Sequence, residues 1–350
     1  MGLKLKNLSK TWQGFQLRNI DLTVNDGEYF VVLGPTGAGK TLLLETVMGF
    51  HKPDKGEVFL DDVDVTFLPP ETRGIGYVSQ NCVLFPHLDV RQNVEFGLKM
   101  RGIGKQQRKR AVDGILESAG VKHLEHRRPA TLSGGESQKV ALARVLAINP
   151  KTIFLDEPLT AVDVEATREL KNVLKQIHRD GKTIVHVTHD QVEAFSLGER
   201  MAIMRAGEIV QTDRTREIFL QPRSEFVARF LGYENIFQAR LKEKRDGYLV
   251  VDVEGVDLAV SGKFDATDCT VAIRPEDIQV HLSPVTPEGL NVVEAAVGEC
   301  TDQGPYVAVS FEGALKLQAS MTKSAFLEKN LETGQKVWLA FKRGAVKVIA

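Results

Sequence analysis

Residues 34–41 of this chain read Gly34-Pro35-Thr36-Gly37-Ala38-Gly39-Lys40-Thr41 and fit the pattern G-x-x-x-x-G-K-[ST]. The apolar run Tyr29–Leu33 precedes this loop, and Leu42–Met48 can form a helix after it. A strand, a glycine-rich loop and a helix in that order predict backbone N–H groups that converge on phosphate oxygens. Lys40 would place a positive charge near the β- and γ-phosphates, and Thr41 would offer a hydroxyl to Mg²⁺. The loop therefore predicts binding of ATP with Mg²⁺.

The sequence around this loop predicts a parallel sheet covered by helices. The short apolar runs Thr152–Leu155 and Ile184–Val187 are typical of buried parallel strands. Between them, Val164–Arg179 has leucines at helical spacing, and Gly181 follows as a stop signal. Strand, helix and strand in succession predict an α/β fold. The stretch Asp89–Arg128 is richer in charge and helical in pattern, and about 88–150 is interpreted as a helical subdomain inserted into that fold.

After Gly232 the pattern changes to closely spaced strands, which predicts a second domain. Residues 1–232 would form the α/β domain, and residues 233–350 would form a small all-β barrel. A structural appendage and a regulatory module are both compatible with this pattern. The predicted strands are Tyr248–Val253, Thr270–Ile273, Ile278–Leu282, Tyr306–Phe311, Leu315–Ala319, Lys336–Phe341 and Ala345–Ile349.

The composition excludes several classes of protein. The formal net charge of the 350 residues is -1, which argues against a nucleic-acid partner bound through a broad basic surface. Cys82, Cys269 and Cys300 lack metal-ligand spacing, and so small an odd number fits a reducing compartment better than a disulfide framework. No apolar run approaches the ~20 residues of a membrane span. We therefore expect any membrane role to come through a partner.

A second glycine-containing loop, Leu132–Gln138, precedes the helical run Lys139–Ala147. Ser133 with Glu136 three residues later predicts a capping box at a helix N-terminus. Glycines beside a helix N-terminus also favour anion binding. The residue pattern alone leaves both interpretations open.

In the order of these motifs the chain resembles the ATPases of ABC transporters, over about Leu3–Gly232. The resemblance identifies the second loop as the signature loop of that family, and it implies that Trp12 stacks on adenine. It also implies a P-loop NTPase fold with a helical insertion. The residues that would bind nucleotide are Trp12, Gly34, Pro35, Thr36, Gly37, Ala38, Gly39, Lys40, Thr41, Leu42, Ser133, Gly134, Gly135, Glu136 and Asp163.

The same resemblance assigns the hydrolytic residues. Gln80, Glu157 and His189 would be catalytic: Glu157 would orient or deprotonate the attacking water, and His189 would contact the γ-phosphate. Thr41, Gln80 and Asp156 would hold Mg²⁺. Leu42 stands where the family usually has a second hydroxyl, so one contact to the α-phosphate is expected to be missing.

The resemblance further implies a homodimer, in which the signature loop of one subunit closes over the nucleotide that the phosphate loop of the other holds. The segment Phe85–Arg91 resembles the part of importer ATPases that receives a permease, and Ile273–Asp277 resembles an accessory-domain motif of the same importers. These similarities imply a peripheral protein on the cytoplasmic face of the membrane. Its partners would be permease subunits and, indirectly, an extracytoplasmic substrate-binding protein.

The last ~60 residues resemble the small molybdate-binding β-fold. Thr322, Ser324 and Lys342 match positions that bind a regulatory oxyanion, molybdate or tungstate. The transported substrate implied is therefore molybdate or tungstate, with sulfate or another small solute as the alternative. A soluble ABC ATPase that acts outside transport is a competing class, as is a nucleotide sensor without hydrolysis.

Overall fold

The computed structural model describes residues 2–160, 162–245, 247–262, 266–286 and 288–349. They divide into two units between Arg216 and Glu217, whereas the sequence predicted a change at residue 232. The segment from Glu217 belongs with the second unit because Arg274 packs against two of its rings. The Arg274 guanidinium lies 3.1 Å from the ring centroid of Phe219 and 4.5 Å from that of Tyr233. It also donates a hydrogen bond of 2.9 Å to the Phe219 carbonyl.

The first unit is built on the buried apolar runs that the sequence indicated. Strands β3 and β8 are buried at every residue, as expected for parallel strands with helices on both faces. The strands of this unit are β1 Leu3–Trp12, β2 Phe15–Val24, β3 Tyr29–Leu33, β4 Lys55–Leu60, β5 Val63–Asp64, β6 Ile75–Val78, β7 Thr152–Asp156, β8 Thr183–Thr188, β9 Arg200–Arg205 and β10 Glu208–Arg214.

A six-stranded sheet in the order β10-β9-β3-β8-β7-β6 forms the centre of this unit. Strands β9, β3, β8, β7 and β6 run parallel, and β10 pairs antiparallel with β9. The carboxyl ends of the neighbouring strands β3, β8 and β7 therefore lie at one edge of the sheet. Ligands bind at this edge in open α/β sheets.

A second, antiparallel sheet in the order β2-β1-β4-β5 covers the central one. Its apolar face shares a core with the central strands and with α1 Lys40–Met48; Leu8, Leu17 and Phe30 are completely buried there. This sheet was not predicted from the sequence. Its strands β1 and β2 alternate buried and exposed residues with irregular register, which weakens the period-two signal.

Helices cover the sheet and form the insertion. The predicted helix Val164–Arg179 is confirmed as α5 with the same bounds. In the stretch at about 88–150 the structure has three helices, and α2 and α3 both pack against α4. The other helices of the first unit, together with one that crosses its boundary, are α2 Val90–Met100, α3 Lys105–Ser118, α4 Gly134–Ala147, α6 Gln191–Leu197 and α7 Thr215–Leu220.

The second unit consists mainly of two five-stranded antiparallel sheets, in the orders β13-β12-β11-β14-β20 and β15-β19-β16-β17-β18. Both contribute to one apolar core, in which Val271, Phe311 and Leu339 are buried. The prediction of an α/β domain followed by a small all-β domain is thus confirmed. The elements are α8 Glu225–Phe230, β11 Asn235–Arg245, β12 Tyr248–Val253, β13 Val256–Val260, β14 Asp268–Ile273, β15 Gln279–His281, β16 Leu290–Asp302, β17 Tyr306–Gly313, β18 Leu317–Thr322, α9 Lys323–Lys329, β19 Lys336–Lys342 and β20 Lys347–Ile349.

Candidate nucleotide site

The phosphate loop joins the end of β3 to the start of α1 in a conformation that needs glycine. Gly37 and Gly39 have φ angles of +81° and +99°, in the left-handed region that other residues seldom adopt. Gly34 lies so close to the chain that a Cβ there would be 2.3 Å from the Met204 carbonyl oxygen. The loop therefore presents backbone and the N-terminus of α1 to its pocket, as anion binding requires.

Lys40 lies beneath this loop and is 5% exposed. Its Nζ donates hydrogen bonds of 2.9 Å to the Gly34 carbonyl and 3.1 Å to the Pro35 carbonyl. The same ammonium lies 3.8 Å from Oε1 of Glu157. Burial lowers the pKa of Lys40, against the opposing pull of the nearby Glu157 and Asp156 carboxylates. A poorly hydrated ammonium that keeps one proton for a further acceptor is suited to a phosphate oxygen.

Asp156 ends β7 directly opposite the phosphate loop. Its Oδ1 accepts a hydrogen bond of 3.0 Å from the Thr41 hydroxyl, and its Oδ2 accepts one of 3.2 Å from the Tyr77 hydroxyl. Asp156 is 2% exposed, and burial raises the pKa of its carboxyl. A hydroxyl and a carboxylate oxygen in contact form a pair of hard donors of the kind that Mg²⁺ prefers. Tyr77, which the sequence did not single out, holds this carboxylate in place.

Around its carboxylate Glu157 gathers side chains from three other segments of the chain and one from its own. Its Oε2 accepts hydrogen bonds from the Gln80 amide at 3.2 Å and from the Thr160 hydroxyl at 3.3 Å. Its Oε1 lies 3.2 Å from Nδ1 of His189, in addition to the Lys40 contact. The structure thus brings together all three residues predicted to be catalytic.

The pocket enclosed by these groups has a volume of about 590 Å³. Phe15 lines it although no feature of the sequence singled out this ring, whereas Trp12 is not among its lining residues. Trp12 packs edge-on against His51, with ring centroids 5.3 Å apart, and its stacking on adenine stays a prediction. The lining residues are Phe15, Thr36, Gly37, Gly39, Lys40, Thr41, Leu42, Gln80, Glu157, Thr160 and His189.

Comparison with known proteins agrees with this geometry. A family model described as ABC transporter matches residues 17–160, and a TOBE domain model matches residues 287–348. The molybdate/tungstate import ATP-binding protein WtpC of Pyrococcus horikoshii is 41% identical over 350 residues, which cover 99% of each chain. The chain belongs to the ABC transporter family. As an ATP-hydrolysing subunit of that family it is an enzyme, and the prediction of an ABC ATPase is confirmed.

Other relatives of this ABC ATPase act on different substrates or have been solved as structures. The spermidine/putrescine import ATP-binding protein PotA of Vibrio cholerae is 38% identical over 91% of this chain and 85% of its own. The ATP-binding cassette MJ0796, a dimer bound to ADP and Pi in a post-hydrolysis state, is 33% identical. It superposes with a TM-score of 0.57 and covers 61% of this chain and 99% of its own.

The signature loop lies outside the pocket lining and caps its own helix. Ser133 Oγ accepts a hydrogen bond of 3.2 Å from the Glu136 N–H, and Glu136 Oε2 accepts one of 2.7 Å from the Ser133 N–H. The predicted capping box is therefore confirmed, with Ser133 and Gly134 exposed. Gly135 is buried, and a Cβ there would lie 2.7 Å from Cβ of Ala166 in α5. The nucleotide contacts of this loop stay a prediction.

Asp163 also caps a helix: its Oδ1 accepts a hydrogen bond of 2.9 Å from the Ala166 N–H at the start of α5. The side chain is exposed. Gly34, Pro35 and Ala38 belong to the phosphate loop without lining the pocket, and Ala38 is buried in the core. Their predicted contacts with nucleotide stay predictions.

The three residues predicted to bind a regulatory oxyanion divide into two places. Thr322 caps α9 and lies 3.2 Å from the Ser324 hydroxyl, so these two are neighbours. In the sheet, Thr322 pairs with Tyr306 next to the last residues of β16, while Lys342 pairs with Leu290, the first residue of β16. β16 spans 13 residues, about 40 Å at the usual rise per residue. The chain therefore does not join Lys342 with the two hydroxyls in one site.

Among the described residues, no helix is both long and apolar enough to cross a membrane.

Proposed function

We propose that this ABC ATPase drives the import of a tetrahedral oxyanion, molybdate or tungstate. It would work as a homodimer on the cytoplasmic face of the membrane, bound to permease subunits. An extracytoplasmic binding protein would deliver the substrate to these permease subunits. Support for the substrate comes from the similarity to the WtpC proteins of Pyrococcus horikoshii, Pyrococcus abyssi and Thermococcus kodakarensis, at 40–42% identity over 87–99% of this chain. The match of residues 287–348 to a TOBE domain supports the same importer branch.

The observation that carries the catalytic proposal is the set of contacts around Glu157. One carboxylate that contacts the Gln80 amide, the His189 ring and the Lys40 ammonium is suited to orient a water and accept its proton. His189, directly after the neighbouring strand, would contact the γ-phosphate, and Lys40 would balance negative charge on the β- and γ-phosphates while ADP leaves. Thr160 would hold the Glu157 carboxylate from the other side.

Mg²⁺ would be held by Thr41, Asp156 and Gln80, and when bound it would neutralise phosphate charge. Within the described part of the chain no cluster of three or more His, Cys, Asp or Glu side chains could hold a metal ion. That is compatible with a cation that takes phosphate oxygens and water for its remaining ligands. The Thr41 hydroxyl and the Asp156 carboxylate, 3.0 Å apart, supply the protein's oxygens.

ATP would join two subunits because each carries half of a complete site. The exposed N-terminus of α4, at Ser133 and Gly134, is an anion site that the pocket of its own chain does not include. If it closes over nucleotide held by the partner, the closed dimer binds ATP better than the open one, and hydrolysis lets the subunits part.

A regulatory oxyanion site in the C-terminal domain would also be completed by two subunits. Thr322 and Ser324 lie at one end of β16 and Lys342 at the other, so we propose that a site using all three requires a second copy of the domain. Bound molybdate or tungstate would then stabilise a resting dimer and lower the ATPase rate.

Polyamine import is the second candidate, because PotA relatives of several species are 35–41% identical to this chain. Under this proposal the binding protein and the permease select the substrate, so the substrate is tested by transport. The chain would be expressed with its cognate permease and binding protein in cells that lack molybdate uptake. Cellular molybdenum and spermidine are then measured at submicromolar external concentrations.

We expect uptake of molybdate but not of spermidine, and loss of uptake with Glu157→Gln. Purified Glu157→Gln should bind ATP with a Kd within threefold of wild type, while its turnover falls at least 100-fold, since a general base contributes about 10²–10⁴-fold. Spermidine uptake without molybdate uptake would overturn the substrate proposal. Wild-type turnover in Glu157→Gln would overturn the role of Glu157.

A further inference from the structure

The loop that carries His189 is held by hydrogen bonds of the residues on either side of the imidazole. The His189 side chain is 46% exposed, and its Nδ1 contacts Glu157 at 3.2 Å. The position of such an exposed ring depends on how the residues on either side of it are held. These residues are Thr188, the last of β8, and Asp190, the N-cap of α6.

Glu193, one turn into α6, contacts both of those residues. The Thr188 hydroxyl donates a hydrogen bond of 2.7 Å to Oε2 of Glu193. The backbone N–H of Glu193 donates one of 2.9 Å to Oδ1 of Asp190. The ring of contacts is closed by the Asp190 N–H, which donates a hydrogen bond of 3.0 Å to the Thr188 hydroxyl. His189 therefore projects from a loop that is bonded to Glu193 on either side.

The carboxylate of Glu193 is buried and takes no part in capping α6. The residue is 7% exposed, and burying an acidic side chain is costly unless it is bonded. Capping of α6 uses only the backbone of residue 193. The carboxylate instead accepts from Thr188 and lies 3.4 Å from Nε2 of the fully buried His186. The other ring nitrogen of His186, Nδ1, lies 3.0 Å from the Tyr29 hydroxyl.

The end of β8, which Glu193 contacts through Thr188, is also hydrogen-bonded to two other parts of the site. The Thr188 carbonyl accepts a hydrogen bond of 3.3 Å from the Gly34 N–H, at the start of the phosphate loop. The carbonyl of Val187 accepts one of 2.9 Å from the Glu157 N–H. Thr188 thus lies where the phosphate loop, the Glu157 segment and the His189 loop meet.

We propose that Glu193 is a positioning residue for ATP hydrolysis: its carboxylate holds the Thr188 hydroxyl, which accepts from the Asp190 N–H, and so keeps His189 against Glu157 and toward the γ-phosphate. This inference rests on the catalytic role proposed above for His189. It predicts that loss of the Glu193 carboxylate lowers the rate of hydrolysis while ATP binding is retained, because the phosphate loop is bonded to the backbone of Thr188 and not to its hydroxyl.

The experiment measures kcat, KM for ATP and ATP affinity of the purified full-length chain for two matched pairs. Glu193→Ala and Thr188→Val each remove the contact, whereas Glu193→Gln and Thr188→Ser keep an acceptor and a hydroxyl in place. For Glu193→Ala and Thr188→Val we expect kcat to fall at least tenfold, with KM within threefold of wild type. For Glu193→Gln and Thr188→Ser we expect kcat to stay within threefold of wild type.

Ser196→Ala is the matched control. Ser196 lies on the same helix, and its hydroxyl donates a hydrogen bond of 3.1 Å to the Glu193 carbonyl, so its loss perturbs α6 without touching the carboxylate. We expect wild-type kcat from this variant. A general loosening of the helix would instead lower kcat in Ser196→Ala as well, and that result would contradict the proposal.

A double-mutant cycle with His189→Ala separates the role of Glu193 from that of His189. If Glu193 acts through His189, Glu193→Ala should lower the residual rate of His189→Ala by less than threefold. If Glu193→Ala lowers kcat equally in wild type and in His189→Ala, the inference about Glu193 is overturned. It is also overturned if Glu193→Ala and Thr188→Val have wild-type kcat while His189→Ala is impaired. Neither result would affect the proposed role of His189. Wild-type kcat in His189→Ala would overturn the proposed role of His189 and the inference with it.

Discussion

Two neighbouring carboxylates at the end of β7 differ in their surroundings, and this difference suits two roles. Asp156 is buried and accepts from Thr41 and Tyr77, while Glu157 faces the pocket and contacts Gln80 and His189. Glu157 has a φ of +47°, a left-handed conformation that costs about 1–2 kcal/mol for a residue with a Cβ. Its N–H bond to the Val187 carbonyl helps to hold that conformation. The turn directs the two successive side chains to different partners.

Asp156→Asn should raise the melting temperature of the nucleotide-free protein at pH 7. Burial raises the pKa of the Asp156 carboxyl in the folded protein above its unfolded value, so the ionised form destabilises the fold. The folded protein binds the proton more tightly, and its stability falls as the pH rises from the unfolded pKa through the folded one. Melting curves measured from pH 7 down to pH 4 should show the advantage of the asparagine variant shrinking as Asp156 becomes protonated. A variant that melts below wild type at pH 7 would contradict this expectation.

At the scale of elements, the phosphate loop shows two different needs for glycine. Gly37 and Gly39 both have positive φ, but a Cβ at Gly37 would meet no atom within 4 Å. A Cβ at Gly39 would lie 2.4 Å from Cζ of Phe15. The first glycine is therefore required by backbone conformation alone, and the second by conformation and by the ring packed against it.

Gly37→Ala should weaken ATP binding about tenfold, since a left-handed alanine costs roughly 1–2 kcal/mol in the binding conformation. Gly39→Ala should weaken it by a larger factor, because the Phe15 ring must also move. The double variant Gly39→Ala with Phe15→Ala should bind better than Gly39→Ala alone, as it removes the clash. Isothermal titration with MgATP measures all three, and equal affinities for the two single variants would show that the Phe15 ring imposes no further cost.

At the scale of the whole molecule, ATP hydrolysis would depend on a partner because the signature loop does not line the pocket of its own chain. The exposed Gly134 at the start of α4 offers a test of this dependence. A carboxylate at a helix N-terminus is favourable for the helix, so Gly134→Asp should fold. In a closed dimer the same charge would face the partner's nucleotide and repel it.

Gly134→Asp combined with Glu157→Gln should therefore bind ATP and stay monomeric, while Glu157→Gln alone should dimerise with ATP. Light scattering after size-exclusion chromatography measures the mass of each. Gly104→Asp is the matched control, because Gly104 is an exposed glycine before α3, and a Cβ added there would have no atom within 4 Å. ATP-dependent dimers of the Gly134→Asp variant would show that this loop does not face nucleotide.

The α/β class, the order of the motifs and the identity of the main chemical groups could all be predicted from the order of the residues. These features can be predicted because they depend on residues close together in the chain: glycine where φ is positive, apolar residues in buried strands and polar residues at helix N-termini. The bounds of α5 and the capping box at Ser133 are examples. Folding in three dimensions was needed to reveal the sheet β2-β1-β4-β5, the role of Phe15, the bonding of Glu193 to the His189 loop and the separation of Lys342 from Thr322. These features depend on strand pairing and on contacts between residues far apart in the chain, and such contacts leave no periodic or spacing signal in a single sequence.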